Sequence, residues 1–214
     1  MPLHKDIRER FSLPPAHHMT RVENLESIFK AGEIYSHNRM KTKGSHQSIS
    51  NPDVQAARAK ITIPVTGRPL HDYVPLYFGF KTPMVAVNKA IYESLLFILF
   101  SLDILETSGV VISDGNARST QTKFTLFSSI DDLSLLDVQA VLGTKYAADS
   151  ELKRKKQAEL LVPDSLPIRK ALIVLCFSEN TRNTVSGLAQ KHGISLAARV
   201  NKGWYFPVEQ GDPG

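Results

Sequence analysis

With 214 residues, 42% of them hydrophobic, the chain has enough apolar content for one ordinary globular domain over residues 1–214, which excludes wholesale disorder. A formal charge of +5 leans towards a polyanionic partner without demanding one, and the single cysteine, Cys176, excludes an intrachain disulfide. The charged start MPLHKDIRER is no secretory signal, and the longest apolar run, Leu95–Phe100, is far too short to span a bilayer, so a soluble, cytoplasmic protein without a membrane partner is expected.

Taken in chain order, His17–Val22 predicts a short strand, followed by a helix over NLESIFKAG with Asn24 as its cap and Gly32 as its stop. From Ser36 to Asn51 the chain is polar and basic and reads as a long surface loop, after which Asp53 caps a short helix, VQAARAK, that carries Arg58. Tyr73–Phe80 is rich in strand formers, and Pro75 points to an edge strand or a strand start. The run LLFILF is a fully buried strand or helix, which periodicity does not separate. GVVIS enters the turn DGN, and Ser129–Leu142 predicts one amphipathic helix with Leu133, Leu136, Ala140 and Val141 inward. ELLV, KALIVLCF and ISLAARV read as further strands, with the helix NTRNTVSGLAQKHG between the last two. This mixture lacks regular βαβ alternation, so an α+β domain around a central sheet is the fold class expected.

Few residues stand out chemically. In KKQAELLV, Glu159 begins a predicted strand, where it shares a face with Leu161 while Leu160 and Val162 share the other. A carboxylate there is either an exposed glutamate at a helix end or a catalytic group held on a rigid element at a pocket rim. The basic run Lys153, Arg154, Lys155, Lys156 is either a solvated helix face or an approach for nucleic-acid phosphates. Arg58 faces solvent, or its rigid fork grips a phosphate or a catalytic acid. In HHMTRVENL, His18 and Thr20 point the same way from a strand, and Asn24 follows at the strand–helix junction. No His/Cys cluster has metal-ligand spacing, so no metal is expected, and neither a dinucleotide fingerprint, a P-loop nor a nucleophile elbow is present.

Five segments in order, HHMTRVENLESIFKAGEI, LHDYVPLYFGFKTPM, VVISDGNA, KRKKQAELLV and KGWYF, span His17 to Phe206. Together they resemble the DarT family of DNA ADP-ribosyltransferase toxins, whose partner antitoxin DarG carries a macrodomain. The resemblance implies an ADP-ribosyltransferase-like fold with a split mixed sheet around an NAD+ cleft, and transfer of ADP-ribose from NAD+ onto a base of single-stranded DNA, thymine ahead of guanine. It places the catalytic glutamate on Glu159, the active-site arginine on Arg58, and cofactor contacts on His18, Thr20, Asn24, Tyr77 and Arg58. Nucleic acid would meet Lys153–Lys156, the loop Arg39–Lys43, Lys81 and Asn116. At the last two the chain departs from the family pattern, with lysine where arginine and proline often precede the PM element, and asparagine where some members have histidine. The competing expectations are an ADP-ribosyltransferase for guanine, RNA or protein, an NAD+ hydrolase, and a non-catalytic nucleic-acid-binding module.

Overall fold

The structure, a computed structural model, describes residues 2–42, 49, 51–144 and 149–208. Its strands are β1 (Ala16–Arg21), β2 (Glu33–Tyr35), β3 (Tyr73–Tyr77), β4 (Leu95–Phe100), β5 (Val111–Ser113), β6 (Phe124–Leu126), β7 (Glu159–Pro163), β8 (Ser165–Pro167), β9 (Ala171–Cys176) and β10 (Ala198–Val200). The α-helices are α1 (Leu3–Phe11), α2 (Leu25–Ala31), α3 (His37–Lys41), α4 (Pro52–Arg58), α5 (Pro83–Val87), α6 (Val138–Leu142), α7 (Ser150–Lys155) and α8 (Glu179–Lys191). Eight strands form one sheet in the order β10-β9-β4-β1-β3-β7-β5-β6, and β2 pairs with β8 apart from it. The β9–β10 pair is parallel and the other neighbours are antiparallel.

Strand β4 shows why the sheet lies at the centre. All six of its residues are buried, and they alternate between two cores. Leu96, Ile98 and Phe100 enter the larger core with Leu76, Leu160 and Val162 of β3 and β7 and with Ile28, Phe29 and Val185 of the covering helices. Leu95, Phe97 and Leu99 enter a second core on the opposite face with Met19, Tyr77, Tyr92 and Tyr205. A strand covered on both faces reads as a continuous apolar run, which is why periodicity could not distinguish it from a helix.

The sheet is split between β1 and β3. Strand β1 pairs with β4 over its whole length, from Ala16↔Phe100 to Arg21↔Leu95, whereas it meets β3 only at His17↔Tyr77. Beyond that pair the strands part, and the His18 imidazole fills the gap with its Nδ1 2.9 Å from the Pro75 carbonyl oxygen. The split also explains Pro75, which lies in the middle of an interior strand and not at the edge or strand start expected. The nitrogen and carbonyl of one residue face the same neighbour in an antiparallel ladder, so the missing Pro75 N–H points at the side β1 has vacated.

Four local expectations change. Asn24 makes no capping hydrogen bond to α2; it ends a 3₁₀ turn, Val22–Asn24, and its amide nitrogen lies 3.2 Å from Thr20 Oγ1. The polar stretch after Ser36 begins with helix α3, capped by the Ser36 hydroxyl, while residues 43–48 and 50, including Lys43, lie outside the described residues. Helix α4 is capped by Asn51, whose side chain accepts from the Asp53 amide, with Pro52 as its first residue. The helix expected over 129–142 is two pieces, a 3₁₀ segment Ile130–Leu135 and α6, because Asp137 caps the second; Leu133, Leu136, Ala140 and Val141 are nonetheless all buried.

Candidate active site

Strand register puts His17, Tyr77 and Glu159 side by side across β1, β3 and β7. Glu159 opens β7 and is fully buried, not at an exposed rim. Its backbone N–H donates to the Ser113 hydroxyl at 3.0 Å, and that hydroxyl in turn donates to the Gly115 carbonyl at 2.8 Å. The start of β7 is thereby tied to the turn that follows β5.

Three hydrogen bonds hold the Glu159 carboxylate. Arg58, the last residue of α4, donates Nη1 to Oε1 at 3.0 Å and Nη2 to Oε2 at 2.9 Å, and the Ala117 amide donates to Oε1 at 3.0 Å. The side chains are only 12% and 1% exposed, so charge-assisted bonds replace the water both ions gave up. Burial works against the Arg58 charge, but the neighbouring carboxylate outweighs it and lifts the guanidinium above its ordinary range. Burial, reinforced by Glu159, likewise lifts the Tyr77 hydroxyl, which stays protonated.

A cleft opens over this pair along the split in the sheet. His18, Thr20, Asn24, Arg58 and Tyr77 line it, with Ile28 and Ile34 among its apolar residues. The donor set suits a dinucleotide: hydroxyl, imidazole, amide, guanidinium and phenol groups, and apolar surface for planar rings.

The basic residues divide. Arg154 is 8% exposed and Lys156 2%. Arg154 is bound to Asp114 and Glu151, and the Lys156 ammonium donates to the Gly143 carbonyl, while burial lowers its affinity for a proton. Lys155 pairs with Asp137 at 3.0 Å. Of the four cations expected to face phosphates, Arg154 and Lys156 instead point inward, the first to Asp114 and Glu151 and the second to a backbone carbonyl, while Lys153 and Lys155 stay partly exposed. Lys81 lies 5.7 Å from the centre of the Phe206 ring, and Asn116 lines the cleft beside Arg118 and Gln157.

Sequence reasoning passed over three features. The Ala117 amide is one, since a backbone donor leaves no residue-type signal. Arg118 is exposed at the cleft wall. His71 and His37 also line the cleft, ring centres 4.2 Å apart. Burial first, then His37 and Arg58, lower the His71 pKa to about 4. Its Nε2 is buried without a hydrogen-bond partner among the described residues.

Comparison with known proteins places this geometry. A family model described as "ssDNA thymidine ADP-ribosyltransferase, DarT" matches residues 17–206. A curated relative, a DNA ADP-ribosyl transferase of Thermus sp. (strain 2.9), is 28% identical over 90% of this chain and 96% of its own length. A fusion of a DNA ADP-ribosyl transferase with a DNA ADP-ribosyl glycohydrolase from Thermosipho africanus is 25% identical over 72% of this chain, which spans 40% of the fusion. Among solved structures, Thermus sp. 2.9 DarT in complex with ADP-ribosylated ssDNA superposes with a TM-score of 0.82 at 26% identity, covering 91% of this chain and 97% of that one. The same protein in complex with NAD+ gives a TM-score of 0.75 at 27% identity over 90% and 97%.

Proposed function

The chain belongs to the DarT family of NAD+-dependent DNA ADP-ribosyltransferases, and from that premise we propose that it transfers ADP-ribose onto a thymine base of single-stranded DNA and acts as a replication-blocking toxin. The observation that carries the reading is the buried, bidentate Arg58–Glu159 pair at the head of β7, whose arginine lines a cleft together with His18 and Thr20. That arrangement joins a fixed carboxylate to a cleft lined by polar donors and apolar surface, which a plain nucleic-acid-binding module does not need.

Bound NAD+ supplies a leaving group that is already cationic, so its departure needs no acid and leaves positive charge developing on the ribose. Glu159 stabilises that charge, and its fixed position means little reorganisation accompanies the reaction. Arg58 orients the carboxylate through both nitrogens. Arg58 also lines the cleft, where its remaining N–H groups would meet the pyrophosphate. His18, with its Nδ1 proton committed to the Pro75 carbonyl, holds the adenosine end with Thr20 and Asn24, and Tyr77 packs beside the reacting carboxylate. Glu159 also positions or deprotonates the accepting base, a role worth about 10²–10⁴ in rate.

A paired base has its reacting edge occupied, so the acceptor enters as a single strand. Asn116 contacts the base, and Arg118, Lys153 and Lys81 contact its phosphates. The Thermosipho fusion joins the transferase to an enzyme of the reverse chemistry, which supports a DarG-like macrodomain antitoxin as the partner. Oligonucleotides that differ only in which base they carry test acceptor choice. NAD+-dependent adducts confined to thymine-bearing DNA are expected; adducts on guanine alone, or on RNA or protein in preference to DNA, overturn the assignment.

A further inference from the structure

We propose that Arg154 is a positioning residue for the reaction: from beneath the turn between β5 and β6 it holds the Ala117 amide on Glu159 and keeps Asn116 and Arg118 in the cleft wall. This rests on the reading of Glu159 as the catalytic carboxylate.

The contacts form one connected path. Arg154 sends Nη1 to Asp114 Oδ1 at 2.7 Å and Nη2 to Asp114 Oδ2 at 3.2 Å, at the start of the turn. The same Nη1 reaches the Thr122 hydroxyl at 3.2 Å, at the end of the turn. Glu151 steadies the other edge of the guanidinium, accepting from Nε and Nη2 at 2.8 Å each. The Arg154 carbonyl takes the Asn116 N–H at 2.9 Å, and the next amide, Ala117, donates to Glu159. Thr122 closes the loop by donating its hydroxyl to the Asn116 carbonyl at 2.7 Å.

The seat is tight. A Cβ on Gly115 would lie 2.5 Å from Arg154 Nη1 and 2.9 Å from the Arg154 carbonyl oxygen, so the glycine is what lets the turn rest on the arginine. Only a planar fork with five donors can serve Asp114, Thr122 and Glu151 together; a lysine ammonium has the charge but not the geometry. Arg154 is itself nearly buried, so its influence on DNA passes through the turn.

The test uses Arg154→Lys and, from the other side of the ion pair, Asp114→Asn, each in the full chain beside wild type. Amide hydrogen exchange is expected to quicken at least tenfold across residues 114–122 while residues 160–162 of β7 keep their protection. NAD+ affinity should stay within about threefold, and DNA modification should fall on the order of 10²-fold, the scale of a misplaced reactive geometry. The double variant should be no worse than either single one, since both cut one connection. Unchanged exchange in the turn overturns the proposal. So does a uniform loss, in which β7 protection, NAD+ affinity and DNA modification decline together, because that marks general destabilisation. A wild-type protein that forms no adduct defeats the functional reading instead, and the exchange arm still decides whether Arg154 holds the turn.

Discussion

Glu159 and Arg58 are joined in a nearly dry place, and this shapes how either can be tested. Glu159→Ala leaves the Arg58 guanidinium buried without its partner, a change that costs about 3–5 kcal/mol. Activity should vanish, but a fallen melting temperature would accompany it. Glu159→Gln keeps an oxygen to accept from Arg58 or Ala117 and should lose the same activity with a clearly smaller drop in melting temperature. Activity retained by the Glu159→Gln protein would remove the charge from the mechanism. His17 makes the opposite case. It is buried against Tyr77, Phe97 and Trp204, and both ring nitrogens lack hydrogen-bond partners among the described residues. His17→Phe keeps the ring packing and removes two orphaned polar atoms, so we expect a gain of about 1–3 kcal/mol, read from urea midpoints. A loss would assign the imidazole a role that its surroundings do not display.

At the scale of elements, strands were legible where alternation or continuous apolar runs carried them. The site was partly legible because Glu159 opens a strand and Arg58 ends a capped helix. What brings them together was not, since the two lie 101 positions apart and Ala117 reaches Glu159 across 42. The buried Arg154 of the basic run went unread for the same reason, since its partner Asp114 sits on another element, whereas the helix break at Asp137 is a local cap on the Ala140 amide. Close packing gives one prediction here. A Cβ on Gly79 would lie 2.2 Å from the Val141 carbonyl of α6, and backbone cannot swing aside. Gly79→Ala should lower stability by about 1–3 kcal/mol, and an unshifted melting temperature would show that α6 is free to move. A second prediction separates surface from interior charge. Arg118→Ala should reduce the salt dependence of DNA binding by about one contact. Lys156→Ala should change stability with no change in slope; a reduced slope would return Lys156 to the DNA-facing surface.

For the molecule as a whole, histidines kept neutral by burial make it sensitive to acid. The His17 pKa is lowered to about 3, by burial first and then by His18, and the His71 pKa to about 4. The unfolded chain therefore takes up these protons first. Their contribution is fully present above about pH 6.5 and is lost as pH falls towards those folded values, by up to about 1.4 kcal/mol per pH unit for each histidine. Urea midpoints measured down that range should decline, and less steeply in His17→Phe; identical slopes would mean that other groups carry the acid sensitivity. The central claim is that Glu159 drives transfer of ADP-ribose onto single-stranded DNA. The most direct measurement is the mass spectrum of a thymine-bearing oligonucleotide incubated with NAD+ and the wild-type protein or its Glu159→Gln variant. The account predicts an added ADP-ribose with the wild type alone, mapped by fragmentation to thymine. An adduct formed equally by both proteins, or NAD+ consumed by wild type with no DNA adduct at all, would contradict it.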